Sequence, residues 1–195
     1  MRNTSLLSWA WVALCFGLQL LGCLLLVPWV GIDFREVAYP AAVLVCGSVT
    51  AAFFTLRPAT EAIERRMRWF PALLYSLFIF ALSSRPYTFP QPTPIDLSFL
   101  HTVIYASLAF LLAMAWDRGP VPLRPTRILL PVFLLGALYG VLDEFHQSFV
   151  PGRMASAGDV VFDIIGLICG SGVFLLCRRL GWLSRGTGHQ ETRRK

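Results

Sequence analysis

Six apolar runs, each closed by a short polar or proline-rich turn, set the pattern of this chain. They lie at 6–30, 38–56, 69–84, 97–116, 128–145 and 159–177. A helix rises about 1.5 Å per residue, so about 20 apolar residues cross a hydrocarbon layer of about 30 Å. The pattern predicts an all-α polytopic bundle of about six transmembrane spans. The first run has Gln19 as its one amide and is longer than the apolar part of a signal peptide. Leu20, Leu21, Gly22 and Cys23 resemble a lipoprotein cleavage box. The run continues past Cys23 with no polar tether, so an uncleaved first helix is expected.

The connections fit this division. A short polar loop covers 31–37, and 57–68 carries four arginines with Glu61 and Glu64, as a solvated interfacial turn would. Trp69, Phe70 and Pro71 mark the start of the third span, a short one, at a membrane interface. Pro86, Pro90, Pro92 and Pro94 exclude a regular element from the next loop. A basic, proline-rich turn at 117–127 and a loop at 147–158 frame the fifth span. We expect two N-terminal helices with their basic turn in 1–68, a four-helix core in 69–180, and a basic disordered cytoplasmic tail in 181–195.

Composition strengthens the membrane reading. Hydrophobic residues make up 56% of 195 and charged residues 14%, and the mean hydropathy is +0.63, outside the range of a soluble domain. The five cysteines, Cys15, Cys23, Cys46, Cys169 and Cys177, are odd in number and lie in apolar runs, which points to packing and not to a disulfide framework. The net charge of +6 is explained by topology. Arg2, then Arg57, Arg65, Arg66 and Arg68, then Arg118, Arg124 and Arg127, and the six from Arg178 to Lys195, account for 14 of 17 basic residues on one side. Arg35, Arg85 and Arg153 fall on the other. Cytoplasmic loops carry such an excess, so both termini are placed in the cytoplasm. A nucleic-acid partner loses its support.

With that orientation, the outward ends of the last four spans hold the polar residues. They are Ser83, Ser84, Arg85, His101, Tyr105, Asp143, Glu144, His146, Gln147, Arg153, Ser156, Asp159 and Asp163. An ionisable group at membrane depth costs about 2.5–3.5 kcal/mol even on lenient scales, and such groups face a bundle interior or a wet cavity. Gly136, Gly140, Glu144 and Gln147 share one face of the fifth span, and Asp159, Asp163, Gly166 and Gly170 one face of the sixth. Both glycine pairs have the GxxxG spacing of close helix packing in lipid. If the two glycine faces meet, the carboxylates converge.

Several of these residues have a structural alternative. Ser156 and Asp159 have capping-box spacing, so Asp159 serves equally as cap or site. Asp163 lies a turn deeper, beyond the reach of a cap. Asp143 and Glu144 end a helix whose dipole disfavours them, so a cation should offset them. Arg153 is the expected partner, through two parallel hydrogen bonds to a carboxylate; Arg85, a histidine or a metal ion are the others. His101 and Tyr105 sit a turn apart, and the histidine fits an interhelical hydrogen bond as well as a ligand. Ser83 and Ser84 either bond carbonyls of the preceding turn or belong to the site. His146 is given little weight.

The order of these residues resembles the VanZ-like family of bacterial membrane proteins. Asp143, Glu144 and Gln147, then Pro151, Gly152 and Arg153, then Asp159, Gly166 and Gly170 are similar to its signature, and Ser83, Ser84, His101 and Tyr105 to its earlier motifs. The resemblance runs from Ser83 to Gly170. The chain departs from the family pattern in having Leu97 and Ser98 for an Asp-Lys pair, and Asp163 for an Asn. The resemblance implies a place in the bacterial cytoplasmic membrane and a link to reduced susceptibility to teicoplanin-type glycopeptides.

Three functions are expected to compete. In the first, an outward-facing acidic pocket binds or shields a membrane lipid, a lipid-linked envelope precursor or the tail of a lipoglycopeptide. In the second, an intramembrane hydrolase or transferase acts on a lipid head group, with Glu144, Asp163 and His101 as candidate acid and base, or with a divalent cation as cofactor. The third is a cation- or proton-coupled transporter, weakened because the cytoplasmic halves of the spans show no matching polar path.

Overall fold

The computed structural model describes residues 4–30, 33–35, 37–57, 60–86, 98–117, 123–153 and 155–183. Pro90, Pro92 and Pro94 of the expected loop, and 184–195 of the expected tail, lie outside them. Among the described residues every regular element is helical: α1 (Thr4–Val30), α2 (Ala38–Leu56), α3 (Glu61–Met67), α4 (Phe70–Ser83), α5 (Phe99–Asp117), α6 (Pro125–Gln147) and α7 (Ala157–Arg179). Five of them, α1, α2, α5, α6 and α7, are long and apolar enough to cross a membrane. The chain is a multi-pass helical membrane protein.

One expected element takes a different form. The segment 57–68, expected as a turn, contains the helix α3, where Glu61, Ala62, Glu64, Arg65 and Arg66 are good helix formers. The third expected span is the 14-residue α4, only about 21 Å long. Pro71 pre-sets its first turn. Trp69, just before it, meets Trp116 near the end of α5, with ring centroids 5.3 Å apart. Ser84, just after it, bonds His146 near the end of α6. The short helix therefore runs between the two ends of its neighbours, antiparallel to α5. At the Trp116 end, Trp11 stacks on Trp182 at 5.8 Å, which brings the start of α1 and the residues after α7 to the same end of the bundle.

The packing puts α5 at the centre. Tyr105, Leu108, Ala109, Leu111 and Ala113 are almost wholly buried, while leucines such as Leu18, Leu25, Leu56 and Leu134 are exposed on the outer surface, as a lipid-facing side requires. The α1–α2 pair closes where the Phe16 ring lies against Gly47, leaving no room for a Cβ there. Phe16 then meets Tyr75 of α4 edge-on at 5.5 Å, and Gln19 donates to Ser107 of α5 across 3.2 Å. Cysteine usage is mixed. All five thiols are free, Cys177 is buried and Cys15 and Cys23 half-buried, but Cys46 and Cys169 are exposed. The expectation that all five are packing residues therefore fails for Cys46 and Cys169.

The two glycine pairs do not face each other. A Cβ on Gly170 would collide with the backbone of Ala106, and one on Gly166 with Thr102 and Ala106. The small face of α7 is thus spent on α5, and Thr102 Oγ1 ties the two by donating to the Phe162 carbonyl at 3.1 Å. The small face of α6 receives side chains of α7 instead: Gly136 lies against Leu167 and Gly140 against Asp163. A helix wedged between two others needs small residues only where backbones touch. So α7 brings Asp163 and Leu167 into the gap that glycine opens on α6, and the acids come together by this route.

Candidate functional site

The end of α4, the start of α5, the end of α6 and the start of α7 meet at one end of the bundle, and their polar side chains form three connected groups. The first joins α5, α6 and α7. His101 Nδ1 lies 2.9 Å from Asp163 Oδ1, with Asp163 only 1% exposed. Glu144 accepts the Ser156 amide on Oε2 at 2.8 Å. His101, Glu144 and Asp159 each offer a ligand-type atom, all within 4.8 Å of one another. Glu144 Oε1, Asp163 Oδ2 and the Tyr105 hydroxyl are buried and make no hydrogen bond among the described residues. An unsatisfied buried polar atom costs about 1–3 kcal/mol, more when charged, so these three atoms are costly where they stand.

Ser156 shows how the start of α7 frees its acids. Its hydroxyl caps the helix by accepting the Gly158 amide at 3.1 Å. In a capping box the residue three further on would reach back to the cap's own amide. Here Glu144 takes that amide instead, and Asp159 is left to face His101 and Glu144.

The second group hangs on the turn after α6. Val150, Pro151, Gly152 and Arg153 form a tight turn, with Arg153 donating its amide to the Val150 carbonyl at 3.1 Å. Gly152 has φ 79, which glycine adopts without strain. The turn sends Arg153 back over the end of α4, where its guanidinium donates to the carbonyls of Leu82 at 3.1 Å and Arg85 at 3.3 Å. It also donates to Gln147 Oε1 at 3.0 Å, and the same amide passes a bond to Asp143 at 3.0 Å. Among these contacts Arg153 reaches Asp143 through a relay, in which the Gln147 amide carries the link. Arg153 also stands where a helix C-terminus favours a cation.

The third group is the meeting of α4 with α6. Ser83 donates to the Ile79 carbonyl at 3.1 Å and Ser84 to the Phe80 carbonyl at 2.6 Å. Both serines thus make the local bonds open to them from sequence. Ser84 also lies 3.0 Å from His146 Nε2, and the His146 ring rests on Phe80 with centroids 4.8 Å apart. Tyr105 stacks nearly parallel to His101 at 6.4 Å. Two contributors had no distinguishing pattern in the sequence, Thr102 and Tyr139, which donates to the Ser76 carbonyl at 2.6 Å; His146, given little weight there, joins this group through Ser84. At the opposite end, Arg178 pairs with buried Asp117 at 3.5 Å and donates to the Leu123 carbonyl at 2.7 Å. That pair fixes the end of α7 on α5 and lies apart from the site.

An open cleft of about 710 Å³ lies between α2 and α4, lined by Tyr39, Val43, Cys46, Leu77, Ser84 and Arg85 among others. It is apolar along most of its length and polar where Ser84 and Arg85 close it.

Fold and site together define a multi-pass helical membrane protein with ionisable side chains gathered inside one end of its bundle. The chain belongs to the VanZ/LLP1 family, whose model matches residues 24–178. The match starts within α1 and ends within α7, so it takes in α2 and extends well beyond the 83–170 stretch in which the resemblance was visible. Comparison with curated proteins and with solved structures gives no match.

Proposed function

We propose that the protein binds an amphiphilic envelope lipid, or a lipid-tailed glycopeptide of the teicoplanin type, from the outer leaflet of a bacterial cytoplasmic membrane. The observation that carries this is the cleft between α2 and α4. Its apolar walls suit an acyl or prenyl chain, and Arg85 with Ser84 at its polar end suits an anionic head group. The Ser84–His146 contact joins that end to α6 and so to the acidic groups. Membership of the VanZ/LLP1 family supports an envelope role.

The orientation belongs to this reading. We place six crossings, counting α4, with both termini in the cytoplasm. Arg35, Arg85 and Arg153 then face outward, and 14 of the 17 basic residues face inward. In a second reading the same end acts on the head group hydrolytically, favoured by the His101–Asp163 pair beside Glu144. Turnover of a phosphate-bearing lipid by purified protein separates the two.

The test is a teicoplanin susceptibility assay in a susceptible bacterium, with membrane levels of each variant matched. Wild type is expected to raise the inhibitory concentration. Cys46→Trp, which fills the cleft, and Arg85→Ala, which removes its cation, are expected to abolish most of that rise. Equal protection by wild type and both variants, or none by wild type, contradicts the proposal.

A further inference from the structure

We propose that His101, Glu144 and Asp159 form a binding site for one first-row divalent cation of the Zn²⁺ or Mn²⁺ type, with Asp163 orienting the histidine. The three residues come from α5, α6 and α7, and each offers a ligand-type atom within 4.8 Å of the others. Metal–ligand bonds of about 2.1 Å put tetrahedral ligands about 3.4 Å apart, so small side-chain rotations close the set around an ion.

Each side chain is already held as a ligand would be. Asp163 occupies His101 Nδ1 at 2.9 Å and leaves Nε2 as the ring nitrogen open to an ion. This is the carboxylate–histidine arrangement found behind metal-bound imidazoles. The Ser156 amide anchors one oxygen of Glu144 at 2.8 Å. The other oxygen, Oε1, has no partner among the described residues, although the residue is only 5% exposed. Asp159 is half-buried in the first turn of α7 and released from capping. His101 keeps 19% side-chain exposure, which leaves an approach from the end of the bundle.

The donor set selects the ion. One imidazole with two carboxylates suits Zn²⁺ or Mn²⁺, whereas Mg²⁺ and Ca²⁺ favour oxygen-only sites. Two carboxylates balance a dication, which removes the cost of burying Glu144 unpaired. Three protein ligands leave a fourth position for water or for an oxygen of a bound molecule. The site stands whether or not the cleft between α2 and α4 holds a lipid.

The experiment uses the full chain in detergent, stripped with a chelator and then titrated with Zn²⁺ and separately with Mn²⁺. Bound metal is counted by mass spectrometry and affinity measured by competition with a chelating dye. One equivalent per chain is expected for at least one of the ions. Asp163→Asn or Asp163→Ala should weaken binding by about 10–100-fold, as loss of an orienting partner does, and His101→Ala and Asp159→Asn should weaken it further. Asp159→Asn changes a half-buried first-turn residue, so it keeps the reading open should Glu144→Gln misfold; exposed Asp33→Asn is the control that should bind as wild type. Failure of the wild-type chain to take up either ion, or an affinity unchanged in His101→Ala and Asp159→Asn, overturns the proposal.

Discussion

At the scale of single residues, side chains at the polar end of the bundle join elements distant in the chain. Arg153 is the clearest case. Its guanidinium reaches Gln147 and the carbonyls of Leu82 and Arg85 together, so it welds the end of α4 to the turn after α6. Arg153→Ala leaves those acceptors without their donor and is expected to cost about 1–3 kcal/mol. Arg153→Lys should recover less than half of that, because an ammonium lacks the planar fork. Thermal unfolding in detergent measures both, and wild-type stability in Arg153→Ala would show that the fork does not hold these elements together. From sequence, the charge of Arg153 was legible and its address was not. Gln147 intervenes, and the carbonyls it takes lie 68 and 71 positions away along the chain. The same distance hid Tyr139, whose acceptor is 63 positions away.

At the scale of elements, the decisive feature is which helix each small residue touches. GxxxG spacing marks a face for close approach, and both faces were visible in the sequence; the partner of each face is a tertiary fact that spacing does not encode. Placing α7 between α5 and α6 resolves it, with Gly166 and Gly170 on the backbone of Thr102 and Ala106 and Gly140 against Asp163. Gly170→Leu meets rigid backbone, so it should destabilise the chain by about 1–3 kcal/mol or more. Gly172→Leu, on the same helix with nothing within 4 Å of its added Cβ, should stay within about 0.5 kcal/mol of wild type. Equal effects of the two substitutions in an unfolding assay would argue against the close α5–α7 contact. The shortness of α4 was legible: Trp69, Phe70 and Pro71 open it and the serine pair closes it, and the helix runs over 14 residues between them.

At the scale of the whole molecule, hydropathy alone delivered an all-helical membrane protein, because a chain in lipid has to satisfy its backbone within each helix. The gathering of polar groups at one end was also legible, since the spans alternate in direction and the acids fall at alternate ends. The family match extends this unity to α2 and the end of α1. The proposed orientation is open to a cysteine-labelling test in intact cells. In a background with the native cysteines replaced, Phe149→Cys at the site end should react with an impermeant maleimide. Thr126→Cys, at the start of α6, should react only after the membrane is opened. The reverse pattern would invert the topology and put the acidic groups on the cytoplasmic side.

The account rests on α5 and α7 bringing His101 and Asp163 into contact, for the polar end is assembled around that pair. Solid-state NMR on the protein in bilayers, with labelled histidine nitrogen and aspartate carboxyl carbon, measures the separation directly, and Asp163→Asn assigns the signal. The predicted distance from His101 Nδ1 to the Asp163 carboxyl carbon is within about 4 Å, as a hydrogen bond to its oxygen requires. Absence of any coupling that the Asp163→Asn substitution removes would mean that the two helices do not meet in this way.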